Sequence, residues 1–162
     1  MDFKNLKPSV DFKDPATLCT LGGCVLLLLA SFLPQAQVKV PILGTQTGNL
    51  MSHYAHQGIF LLILSIGAAA VLILNISKEK VLPGVLGALA AIGLWSIIAV
   101  FRDVSDAKKE IKASSVLSGS ASASYSIGFF VLILGVIAVA AAIVLNTMNA
   151  KKAGPAQAQP MA

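Results

Sequence analysis

Ile127 to Met148 reads IGFFVLILGVIAVAAAIVLNTM and holds no Asp, Glu, Lys, Arg or His. A helix rises ~1.5 Å per residue, so about 17–25 apolar residues cross a hydrocarbon core ~30 Å thick. Lipid offers a backbone no hydrogen-bond partners, so such a run is either a helix or part of a closed barrel. Barrel strands alternate between apolar and polar residues, whereas this run is apolar throughout. Working outward, the runs 81–101, 58–76 and 16–33 have the same character and likewise lack those five residue types. The expected fold is therefore an all-α membrane protein, a four-transmembrane-helix bundle.

The composition agrees. The 162 residues are 56% hydrophobic and 12% charged. A soluble domain needs about a quarter charged residues to cover its surface. The net charge of +5 is spread over tails and loops, with no basic stripe interleaved with aromatics. That pattern suits anionic headgroups and excludes nucleic acid as an expected partner. Cys19 and Cys24 lie in the first apolar run, on different sides of a helix, so no disulfide framework is expected. Leu21-Gly22-Gly23-Cys24 is like a lipoprotein cleavage box, but its apolar stretch follows the cysteine instead of preceding it. The first span reads as an uncleaved anchor.

Local signals mark the ends of the spans. Asp14-Pro15 reads as an N-cap with proline at the first helical position, and Pro34 follows the first span. Pro83 is expected to open the third span in the same way. Residues 1–15 form an N-tail, 16–150 the membrane domain, and 151–162 a flexible C-tail. The repeated Asp2-Phe3-Lys4 and Asp11-Phe12-Lys13 read as an interfacial anchor. The first and third connections, 34–57 and 102–126, are long, and the second is a tight turn. Lys4, Lys7, Lys13, Lys78, Lys80, Lys151 and Lys152 fall on one side, against Lys39, Arg102, Lys108, Lys109 and Lys112 on the other. That seven-to-five bias places both termini in the cytoplasm, with the plasma (inner) membrane as the expected location. Asn75-Ile76-Ser77 matches a glycosylation sequon but abuts the membrane on the cytoplasmic side, so it is discounted.

The long loops carry structure of their own. Gln37-Val38-Lys39-Val40 alternates like a strand. Asp103 to Lys112 is helix-friendly and can extend the third helix beyond the membrane. Gly119 to Ser126 is open between a strand paired with the first loop and a flexible segment. Gly58-Ile-Phe-Leu-Leu-Ile-Leu lines up with Gly128-Phe-Phe-Val-Leu-Ile-Leu, which points to two similar helical hairpins with long outer loops. This layout resembles the tetraspan layout of claudins. The first outer loop has neither the tryptophan motif nor the cysteine pair of that family, and Gly93-Leu94-Trp95 lies inside the third span.

Few residues carry chemistry. Hydroxyls in the spans mostly bond to their own or a neighbouring backbone. With no titratable group along a path, ion-coupled transport by the chain alone is not expected, and neither is an enzyme. His53 and His56 have the spacing of two residues on one helix face, the single metal-like or tetrapyrrole-binding pattern; a site needs more ligands, so no cofactor is expected. Small residues are the stronger signal: Gly84, Gly87, Ala88, Ala91 and Gly93 in the third span, Ser65 and Ala69 in the second, Ala138 and Ala142 in the fourth. Such faces let helix backbones approach closely in lipid, either within the bundle or against a partner. Tyr54, Trp95, Phe101, Tyr125, Phe129 and Phe130 fall toward the long-loop side as an interface belt, with Trp95 deep enough to pack between helices or against a partner, lipid or ligand. The expected function is a non-catalytic membrane subunit or scaffold packing beside other membrane proteins or further copies of itself. The alternatives are an oligomeric pore or carrier for a neutral or hydrophobic solute, and a metal- or tetrapyrrole-binding protein centred on the two histidines.

Overall fold

A computed structural model describes residues 12–41, 44–74, 78–114 and 121–153. The elements run α1 (Pro15–Phe32), β1 (Pro34–Val40), β2 (Gly44–Asn49), α2 (Leu50–His53), α3 (Ala55–Leu74), α4 (Lys78–Ala113), β3 (Ser122–Tyr125) and α5 (Ile127–Ala153). The four long helices α1, α3, α4 and α5 are each long and apolar enough to cross a membrane, so the chain is a four-helix membrane bundle. Helix α1 packs against α3 and α5, and α4 packs against the same two, which closes a ring of four. Leu27, Leu61, Leu86, Leu89, Leu132 and Val139 are fully buried and fill its centre.

The helix starts follow from local chemistry. The Asp14 carboxylate accepts from the N–H groups of Ala16 and Thr17 at 3.2 and 3.3 Å and from the Thr17 hydroxyl at 3.0 Å, while Pro15 occupies a position whose N–H would go unused. Pro83 does not open α4. That helix already begins at Lys78, and Pro83 lies inside its first turns, where membrane helices tolerate proline. The residues 78–80 expected in the tight turn thus belong to α4. At its other end α4 continues without a break through Asp103 and Lys112 to Ala113. Helix α5 runs on to Ala153, into the segment expected to be a flexible tail. The N-tail repeat (apart from Phe12 and Lys13), the sequon at 75–77 and residues 154–162 lie outside the described residues.

The long loops add a three-stranded antiparallel sheet of order β2-β1-β3. Val38 faces Gln46 on one side and Ala123 on the other. The expected strand at 37–40 is β1. Of the two readings left open for 119–126, pairing with the first loop holds for Ser122–Tyr125. Strand β2 and helix α2 carry no apolar periodicity. Their signals are Gly44 at φ 76°, and Asn49, whose side chain accepts from the Ser52 N–H at 2.8 Å while the Ser52 hydroxyl accepts from the Asn49 N–H at 3.3 Å.

The two glycines that head the internal repeat do matching jobs. A Cβ on Gly58 would lie 3.1 Å from the Leu50 carbonyl oxygen, and one on Gly128 would lie 2.5 Å from that of Pro34. Each lets the start of its helix press against the backbone of the first long loop.

Candidate functional site

Two regions hold the functional candidates: the outward face of α4, and a cavity at the loop end of the bundle.

Within the bundle, three glycines set the helix spacing. A Cβ on Gly23 would meet the Val139 side chain at 2.8 Å and the Val139 nitrogen at 3.1 Å; one on Gly135 would meet Leu27 at 2.8 Å; one on Gly93 would meet Val136 at 2.5 Å. Ser65 and Ala142 are buried, and Ala69 and Ala138 are half-buried. Gly135 is a packing residue with no mark in the sequence beyond its small size. Gly84 and Gly87 behave differently, with nothing within 4 Å of where a Cβ would sit. Both are exposed, as is Ala91, while Ala88 is half-buried. At ~100° per residue, Gly84, Gly87, Ala91 and Trp95 form one stripe along α4. Trp95 is 66% exposed, so it does not pack between this chain's own helices.

The other aromatics join elements at the loop end. Tyr125 of β3 stacks on Phe129 of α5 with ring centres 4.6 Å apart and on Phe101 of α4 at 6.2 Å, and Phe130 meets Phe129 edge-on at 6.0 Å. Lys108 on the α4 extension places its ammonium 5.1 Å from the centre of the Tyr125 ring.

The cavity begins with a missing donor. In α1 the carbonyl of Ala30 would accept from the N–H of residue 34, but Pro34 has none. Gln35 replaces it: the Nε2 of its side chain donates to the Ala30 carbonyl and, at 3.3 Å, to that of Leu33. The strand register shifts between Pro34 and Ala36, a bulge that places Gln35 out of the alternation. Its side chain is 1% exposed, and its own carbonyl accepts from the Ser126 N–H at 2.9 Å. One residue thus ties α1, the sheet and the start of α5. Gln35→Leu is expected to lower stability by about 1–3 kcal/mol, because the buried Ala30 carbonyl and the half-buried Leu33 carbonyl lose their donor. Thermal unfolding in detergent measures it, and an unchanged midpoint would refute this role.

With Nε2 committed, the Gln35 Oε1 atom is buried without a partner. Gln35 lines a cavity of about 250 Å³ between the sheet and the α4 extension, with Ala36, Val38, Gln46, Thr47 and Gly48 on one wall, His53 and Tyr54 at one end, and Val100, Asp103, Val104 and Ala107 on the other wall. The Tyr54 hydroxyl donates to the Asp103 carboxylate across it. The His53 ring lies against Gly48, where a Cβ would come within 3.3 Å of Nδ1. One turn beyond, the Lys109 ammonium bonds to Asp106 at 2.9 Å, and that bond and its charge lower the Asp106 pKa.

His53 and His56 do not share a helix. His53 ends α2, Tyr54 has φ −128° and ψ 51°, and His56 belongs to α3. The spacing argument fails at that break, and of the two only His53 lines the cavity. Among the described residues, no group of three His, Cys, Asp or Glu side chains could hold an ion.

No protein-family model, curated protein or solved structure matches the chain.

Proposed function

We propose that the chain is a non-catalytic membrane subunit that packs beside another membrane protein, or a second copy of itself, through the outward face of α4. The carrying observation is the contrast along that helix. Gly93 is filled by this bundle's own Val136, whereas Gly84 and Gly87 open onto empty space in line with the exposed Trp95. In lipid, small residues stabilise a contact by letting another backbone come close, and they gain nothing from facing acyl chains. Trp95 gives such a contact a large, rigid anchor. In this reading both termini are cytoplasmic in the plasma membrane, following the split of lysine and arginine.

The test is purification of the full chain in a mild detergent, followed by sizing and identification of what accompanies it. The wild type is expected in a larger assembly, and Gly84→Leu with Gly87→Leu is expected to release it as a folded monomer. A monomeric wild type, or an assembly indifferent to the double change, would sink the proposal.

A further inference from the structure

We propose that the loop-end cavity binds a primary ammonium group carried on a short apolar body. The lining supplies acceptors. The Gln35 Oε1 atom has no partner, and its orientation is fixed because Nε2 is held by the α1 carbonyls. The Asp103 carboxylate accepts from Tyr54 and keeps further lone pairs. The Tyr54 hydroxyl is committed to Asp103, and Gln46, Thr47 and His53 complete the polar lining with groups that both donate and accept. None of the lining residues is Lys or Arg, so the carboxylate has no cation within the cavity. The basic groups that flank Asp103 on α4 lie outside the lining: Arg102, its neighbour in sequence, acts on Asp106, Lys108 sits over the Tyr125 ring and Lys109 is bound to Asp106.

A ligand for this lining brings donors and positive charge, since hydrogen bonds to a charged acceptor are the stronger kind. An ammonium has three donors and no acceptor. Ala36, Val38, Val100, Val104 and Ala107 supply apolar walls for a few methylene groups. A carboxylate or phosphate would meet Asp103 with like charge. A quaternary ammonium would bring charge but no donor, and would leave Gln35 Oε1 unpaired. The cavity straddles the expected end of the third span at Phe101, with Val100 inside that span and Asp103, Val104 and Ala107 beyond it, so the ammonium can come from a soluble amine or from an aminolipid headgroup.

The experiment titrates butylammonium chloride into the full chain in mild detergent and follows ligand-observed saturation-transfer NMR. Saturable binding is expected for butylammonium, and none for butyrate or butyltrimethylammonium. Asp103→Asn keeps an acceptor for Tyr54, and Ala107→Phe fills the cavity from an independent position. Each is expected to weaken binding at least about tenfold while the protein still melts cooperatively. Dihexanoyl phosphatidylethanolamine is then added as a competitor, with the phosphatidylcholine analogue as control. Displacement by the first alone assigns the site to a lipid headgroup, and displacement by neither assigns it to a soluble amine. The proposal is overturned if the wild type shows no saturable binding, if butyrate binds equally, if both variants bind as the wild type does, or if both lipids displace the ligand alike.

Discussion

Gly128→Ala is expected to prevent the loop end of the bundle from assembling. The added methyl would lie 2.5 Å from the Pro34 carbonyl oxygen, 2.8 Å from that of Leu33 and 2.7 Å from Gln35 Nε2. Two of these are backbone atoms where α1 passes into β1, and the third is held by the Ala30 and Leu33 carbonyls, so none is a flexible tip that can swing away. Relief requires moving the start of α5, which would pull Ser126 from the Gln35 carbonyl and disturb the stack of Tyr125 on Phe129. Overpacking of a rigid site costs about 1–3 kcal/mol, and here the loss of linked contacts adds to it. The measurement is the unfolding midpoint in detergent, together with proteolysis of the long loops. A variant as stable and as protected as the wild type would show that α5 does not need this approach.

The second large effect is a contrast between neighbours. Gly22→Leu is expected to be tolerated, because nothing lies within 4 Å of its Cβ position and leucine is the better helix former. Gly23→Leu is expected to separate α1 from α5. Its first added carbon already meets the Val139 side chain at 2.8 Å and backbone nitrogen at 3.1 Å, and the rest of the side chain has nowhere to go. In lipid the packed state and its alternative are equally apolar, so lost van der Waals contact is not offset by the hydrophobic effect. A loss of at least about 1–3 kcal/mol follows. Equal stability of the two variants would mean that α1 is rotated relative to this arrangement.

The crossings were legible because each is written in composition alone: a long run without charge has one stable form in lipid. Strand β1 was legible in the alternation of Gln37 to Val40, and the α1 start in Asp14-Pro15. Other features depended on distant partners. The pairing of Ser122–Tyr125 with β1 links segments far apart in sequence, and serine and alanine carry little strand preference. The absent N–H of Pro34 is visible in the sequence, but its replacement by Gln35 depends on the bulge. The direction a glycine faces depends on helix rotation, so the sequence alone neither singles out Gly135 nor separates the open Gly84 from the packed Gly93. The histidine spacing misled because it assumed one continuous helix through Tyr54. Asn49 and Ser52, three apart, were the available warning that a short, separately capped helix precedes it.

The strand pairing also governs how the bundle can deform. Its two hairpins are stitched together by backbone hydrogen bonds between β1 and β3 at the loop end. Toward the tails, the helices meet through side chains such as Leu72, Leu82 and Ala142. Backbone pairing holds one geometry more strictly than side-chain packing, so the sheet is the pivot about which the hairpins would part, and parting them means breaking the close approaches of Gly23 to Val139 and of Gly135 to Leu27. The loop-end cavity sits beside that pivot, on the side of the bundle tied by main-chain bonds.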